Sequence, residues 1–568
     1  MSVSQPVGSA VDQILQKADL ASIQDERARE WIHQLLNLME TLSAELRKAQ
    51  AEILYLREQL QRRQGGGGPT DPSRDTSSRA RRSSEKERAE AAEQESHKRR
   101  KLDRIRVDRE EVLKLDRALL PPDAKFKGYE DVVVQDLRFH TDNVRFRKEK
   151  YYAASTGRSY LAPLPPGYGG EFGPNLKSLC LGFSHLGNMT EPKIADLLAN
   201  LGILISGGQI SRLLARAYEP FQQEKEAIVE AGLSSSPWQH LDDTGTPVDG
   251  RNRHCHVICN PLYTAYCTTA RKDRLTVIDV LRNQRERVFR LNDEALGLLG
   301  QLGVSQRVLA AVRPLSCQED WKEGELNRRL ADQLPNLGRV AHGRILEAAA
   351  IAAYHAGVGY PVVRLLVCDD AQQFKLVSEE LALCWVHDGR HYQNLEPCVA
   401  QHRQWLEAFR ERYWDYYRQL RAYQRAPTPE RVAQLREQFD DLFSTVTGYE
   451  GLDQRIAKTK ANKVHLLMVL EHPEIPLHNN PVELGARLRV RKRVVSHGPR
   501  SDLGAQAWDA METLIGTAKK LGVNCFQYIC DRVSGTREMP SLAELIHERA
   551  KTLNLGSSWA PPTSSPVY

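Results

Sequence analysis

LHNNPVELGARLRVRKR, residues 477–493, is the stretch whose reading decides the fold. Locally it opens a helix. Asn480 suits the N-cap, Pro481 the first helical position, and Glu483 the third, where a carboxylate can return a hydrogen bond to the cap. Arg487, Arg489, Arg491, Lys492 and Arg493 follow within a few turns. One reading makes Glu483 a cap and the cations a solvated face. The other makes Glu483 a metal-binding carboxylate beside phosphate-gripping cations, because Arg and Lys track nucleic-acid backbones. This second reading requires two more carboxylates at the ends of buried strands.

The chain contains both. Asp242 lies in WQHLDD, residues 238–243, where apolar and acidic positions alternate, and Asp369 ends the apolar β-branched run VVRLLVCD, residues 362–369. An unpaired carboxylate buried at a strand end is costly, so it calls for a cation or a metal. Three acids converging on one point repel one another unless divalent metal neutralises them. Hard oxygen donors favour magnesium or manganese over zinc. Two such ions would serve an in-line phosphoryl transfer. Each acid also has a plainer reading: Asp242 and Asp243 as turn formers, Asp369 as a helix cap, Glu483 as half of a capping box.

Size and composition permit this chemistry without requiring it. The 568 residues suffice for several domains; 41% are hydrophobic and 27% charged, as in a globular protein with a real core. A net charge of +6 permits nucleic-acid binding. The most apolar run, 345–368, is broken by Glu347, His355 and Arg364, so no membrane span is expected. The N-terminus shows no secretory signal pattern, and ten scattered cysteines without a CxxC pair read as reduced thiols. A cytoplasmic protein is expected, associated with the nucleoid when on DNA. His254, Cys255, His256 and Cys259 resemble metal spacing, but strand alternation points neighbours apart.

Outward from the acids, the organisation reads as follows. An apolar heptad through Ile32, Leu35, Met39, Leu42, Leu46, Ala49, Ile53, Leu56 and Leu60 predicts a coiled coil over 20–64 and hence a homodimer or higher homo-oligomer; one amphipathic helix packing on its own chain is the alternative. Residues 65–106 read as a disordered basic linker. Residues 107–165 read as a small β-rich domain, with period-two patterning from Tyr129 to Tyr160. Residues 175–230 read as helical, and TEPKIADLLANLGILISGGQISRLLAR, 190–216, has helix-turn-helix spacing that would present Gln209 and Arg212 to a DNA groove. Residues 236–395 then carry the first two acids with a helical insert at 286–356. Residues 396–475 read as a helical insertion, 476–535 as the part carrying Glu483, and 536–568 as a tail.

Taken together, DDTG, VCDD after an apolar strand, CWVHDGRHYQNL and HNNPVELGARLRVRKR resemble the DDE transposases of the insertion-sequence-sixty-six group. The resemblance runs from about Lys177 to Ser534. It implies an α/β, RNase H-like catalytic core of mixed sheet and flanking helices. It implies Asp242, Asp369 and Glu483 as the metal-binding catalytic triad, with two divalent ions, magnesium favoured and manganese the alternative. It places His387 and Arg390 in a strand motif after the second acid, as DNA contacts, and Arg487, Arg491 and Lys492 on a basic DNA-binding helix. Asp243 and Asp370 rank second as ligands. The implied reaction is nicking at transposon ends followed by attack of the 3′-hydroxyl on target double-stranded DNA. A DNA-binding regulator that has lost cleavage, or an RNase H-like nuclease that cuts without joining, are the alternatives. Many relatives carry a cysteine-rich zinc motif after the coiled coil; residues 107–165 contain no cysteine.

Overall fold

The structure, a computed structural model, describes residues 25–63, 107–115, 121, 126–137, 140–216 and 219–559. The linker expected at 65–106 and the end of the tail lie outside them. The described residues fall into two compact units: one draws on Met1–Pro69, Lys148–Ala195 and Ile205–Tyr568, the other on Thr70–Arg147 and Asp196–Leu204. In the second, residues 126–137 and 140–147 have no regular structure and are exposed, despite their period-two pattern. Alternation alone makes no strand, because each strand needs a neighbour for its N–H and C=O groups.

The first unit begins with α1 (Glu26–Arg63), followed by the hairpin β1 (Lys150–Ala153) and β2 (Arg158–Leu161). Next come α2 (Pro174–His185), α3 (Glu191–Asn200), whose end belongs to the other unit, α4 (Gly207–Arg216) and α5 (Glu219–Ser234). The sheet strands are β3 (Trp238–Gly245), β4 (His254–Asn260), β5 (Tyr263–Thr269), then β6 (Leu365–Cys368) and β7 (Glu380–Leu383). Between β5 and β6 lie α6 (Arg274–Leu281), α7 (Asp293–Gln301), α8 (Gln306–Val312), α9 (Glu323–Gln333) and α10 (Arg339–His355). After β7 come α11 (Trp385–Gln393), α12 (Ala400–Arg425), α13 (Pro429–Leu442), α14 (Glu450–Ala461), α15 (Lys463–Leu466), α16 (Asn480–Ser496), α17 (Asp502–Lys520), α18 (Cys525–Ser534) and α19 (Leu542–Leu553).

The five strands form one mixed sheet in the order β5-β4-β3-β6-β7. β3, β4 and β5 are antiparallel neighbours, whereas β6 runs parallel to both β3 and β7. The expected mixed α/β architecture is present. β6 is buried along its whole length, as a central parallel strand covered on both faces must be. α17 packs on β5, and α16 on β3 and β4, where Val482 and Ala486 meet Cys255, Val257 and Tyr266. Gly485 makes this contact possible: a Cβ there would lie 2.9 Å from Val257 Cγ1.

α1 is one 38-residue helix. Ile32, Leu36 and Met39 pack on Cys398 and Val399, and the Glu40 carboxylate accepts the N–H groups of those two residues at 2.9 and 2.8 Å. Burial works against that carboxylate, yet His402 and the two N–H donors hold it below its ordinary range. Leu35, Leu42, Leu46, Ile53 and Leu56 stay at least half exposed. The helix α19 was not foreseen in the tail. Its capping box, Ser541 with Glu544, was the available signal. No helix among the described residues is long and apolar enough to cross a membrane.

Candidate active site

The parallel pairing of β3 with β6 sets Trp238 opposite Leu365 and His240 opposite Val367. Two residues further along each segment come Asp242 and Asp369, on neighbours roughly 4.8 Å apart. The pleat turns Asp243 to the other face. There it accepts from Gln373 Nε2 at 2.9 Å and meets Lys272 at 3.3 Å. Asp370 is likewise taken, by Lys375 at 2.6 Å and Asn462 at 3.3 Å. Asp242 accepts the N–H of Asp243 at 2.8 Å and Asp369 that of Ala371 at 3.1 Å; among the described residues neither forms an ion pair. Burial, then the charges of Asp369, Asp243 and Glu483, push the Asp242 carboxyl up to about 7.

Glu483 sits in the first turn of α16, but not in a capping box. The cap residue is Asn479, without a side-chain cap bond, and Asn480 is the first helical residue, its Oδ1 buried and without a partner. The Glu483 carboxylate turns instead to Arg390, whose Nη2 lies 3.1 and 3.0 Å from its two oxygens. His387 Nε2 and Arg487 Nη2 each stand 3.6 Å away. His387 and Arg390 are not on a strand, as their motif suggested: β7 stops at Leu383, and Cys384 caps α11 with its sulfur accepting the His387 N–H at 3.4 Å. On a helix, residues three apart share a face, so both can reach Glu483. Burial lowers the His387 imidazole, and the Glu483 charge opposes that.

Two unpaired carboxylates side by side, with a third close enough to raise one of them, are hard oxygen donors suited to a divalent cation. The closed shell is not formed: among the described residues no three acids, histidines or cysteines group closely enough to hold a metal ion. Arg390 occupies the carboxylate of Glu483 instead.

The remaining expected DNA contacts divide by exposure. Arg491 is exposed and Arg487 half-buried on α16. Lys492 is buried: its amine is hydrogen-bonded with His185, 4.4 Å over the Trp508 ring, and burial pulls it down to about 7. It faces the protein interior and not an open groove. Arg212 is exposed on α4. Gln209 forms a cap with Ser206, each taking the other's N–H at 2.9 and 3.2 Å, and donates to Glu171 at 2.8 Å, so its amide is already engaged. Sequence reasoning missed the buried pairing of Arg489 with Asp509 and Glu512, which ties α16 to α17. It also missed Asn479, fully buried between β3 and α16.

Fold and site together define an α/β protein with acids gathered at the ends of central strands and a basic helix over the sheet. The Transposase IS66 family profile matches residues 348–507, which include Asp369 and Glu483 but not Asp242. The uncharacterized protein y4jO of Sinorhizobium fredii (strain NBRC 101917 / NGR234) is 34% identical over 337 residues, 57% of this chain and 100% of that protein. The chain belongs to the IS66 family of transposases. No solved structure matches it.

Proposed function

We propose that the protein is a DDE-type DNA transposase with an RNase H-like core, carrying out metal-dependent nicking and strand transfer in the movement of an insertion sequence. The observation that carries this is the parallel register of β3 and β6, which brings Asp242 and Asp369 abreast without a cation of their own, beneath the helix bearing Glu483. Two divalent ions, magnesium or manganese, would supply activation of the attacking oxygen and neutralisation of the leaving one. Asp242 and Asp369 would offer oxygen donors from the sheet and Glu483 from α16. Arg390 and His387 hold Glu483 until then. Arg487 and Arg491, with Arg212 on α4, would grip the phosphates of double-stranded DNA. The exposed stripe of Leu35, Leu42, Leu46, Ile53 and Leu56 on α1 supports a coiled coil with a second copy, whose two sites would serve two DNA ends. Work on bacterial DNA fits a cytoplasmic, nucleoid-associated location.

Asp369→Asn is expected to abolish magnesium-dependent cleavage of terminal inverted-repeat DNA while folding and DNA binding persist. Unchanged cleavage would remove Asp369 from the site. The hold of Arg390 on Glu483 favours a second reading, a DNA-binding regulator without cleavage. A wild-type protein that binds terminal-repeat DNA and never cuts it would establish that instead.

A further inference from the structure

Asn479 touches the segments that carry Asp242 and Glu483 and, through Cys384, is linked to the one that carries Asp369. Its Oδ1 faces His240 Nδ1 at 2.8 Å, two residues before Asp242. Its Nδ2 donates to the carbonyl of Leu241, the residue adjoining Asp242, at 3.1 Å. That carbonyl can only accept, which fixes the amide orientation and makes the His240 nitrogen the donor. The Asn479 N–H donates to Cys384 Sγ at 3.1 Å, the sulfur that also takes the His387 N–H. The Cys384 N–H donates in turn to the carbonyl of Cys368, the residue before Asp369, at 3.0 Å. Finally the Asn479 carbonyl accepts the N–H of Glu483 at 3.3 Å.

A helix cap needs none of this reach, and Asn479 makes no side-chain cap bond at all. Its amide is instead spent across the gap between β3 and α16. We propose that Asn479 is a positioning residue, a pin that fixes the start of α16 against β3 and so sets how far Glu483 stands from Asp242 and Asp369. The proposal rests on the catalytic reading above. An apolar side chain of similar volume would fill the space but leave the His240 N–H and the Leu241 carbonyl unpaired, free to draw apart. Replacing groups that orient metal ligands in this way costs about 10–100-fold in metal affinity or activity.

The test uses the full-length chain, with Mn2+ as the probe followed by electron paramagnetic resonance alongside cleavage of terminal-repeat DNA. Asn479→Leu and the milder Asn479→Ser are compared with His240→Asn, which keeps an N–H donor in place of Nδ1. Asp369→Asn is the control for the acids, and melting temperature and DNA affinity monitor the fold. Both Asn479 variants are expected to fold and bind DNA as the wild type does, with Mn2+ affinity and cleavage rate reduced about 10–100-fold. His240→Asn, which keeps the donor, is expected to lose less than either Asn479 variant, and a loss as large as theirs would overturn the pin. If the wild type binds Mn2+ and cleaves, Asp369→Asn does neither, and both Asn479 variants match the wild type, the pin alone is refuted. It is also refuted if their losses merely track lost folded protein or lost DNA affinity. If the wild type neither binds Mn2+ nor cleaves, the catalytic reading fails and takes the pin with it.

Discussion

Lys492 shows how burial decides a residue's part. Its ordinary value is 10.5, and in the fold its amine is pulled down to about 7. Below that, folded and unfolded chains both carry the proton, and the fold bears the full cost of a buried charge. As pH rises from about 7 toward 10.5 the folded amine is neutral while the unfolded one is still charged, so stability rises with pH and is lost as pH falls. Lys492→Met is expected to remove this slope and to raise stability most at neutral pH, where the buried amine is still partly charged. Urea melts from neutral to alkaline pH check it, and an unchanged slope would mean the amine reaches water. In sequence, Lys492 is indistinguishable from Arg491: both are cations on one helix. Which one faces the core depends on α17, the next helix, and on α2, whose His185 lies 307 residues earlier in the chain. The clasp of Arg390 on Glu483, 93 residues apart, is illegible for the same reason.

At the scale of elements, α16 lies flat on β4 because residue 485 has no side chain. An added Cβ would come 2.9 Å from Val257 Cγ1 and 3.1 Å from the Tyr266 hydroxyl, which itself bonds the Gly485 carbonyl at 3.2 Å. Gly485→Ala is therefore expected to cost about 1–3 kcal/mol in thermal or chemical melts. It should also slow DNA cleavage by tenfold or more, since lifting the helix moves Glu483 relative to the sheet. Unaltered cleavage would show that the helix position is not critical. The strand β3 could be seen in the sequence as an alternation of apolar and acidic positions, β6 as an apolar, β-branched run ending in acid, and Pro481 marked the start of α16. The helix α11 could not. LALCWVH reads as one apolar strand, and the break within it depends on a cysteine acting as N-cap, outside the usual Ser, Thr, Asp and Asn.

Across the whole molecule, α1 divides its apolar surface between two uses. Glu40→Ala would leave the N–H groups of Cys398 and Val399 unsatisfied at the start of α12, and is expected to cost about 1–3 kcal/mol. A lower midpoint in thermal or urea melts would show that loss, and an unchanged midpoint would contradict it. The outward stripe predicts something different: Leu42→Glu with Leu46→Glu should shift the protein to a smaller species in sedimentation while its melting temperature barely moves. A protein already monomeric would refute this. The heptad is plain in the sequence, but its division is not, because the surface that Glu40 grips lies 358 residues downstream. A repeat shows that a helix has an apolar side; only the folded chain shows how much of it is already covered.

The guanidinium of Arg390 gives the resting protein a built-in counter-ion for Glu483. Chelated preparations should therefore stay folded and dormant instead of precipitating. Under the proposed metal-dependent reaction, adding the cation to such a stock would start cleavage.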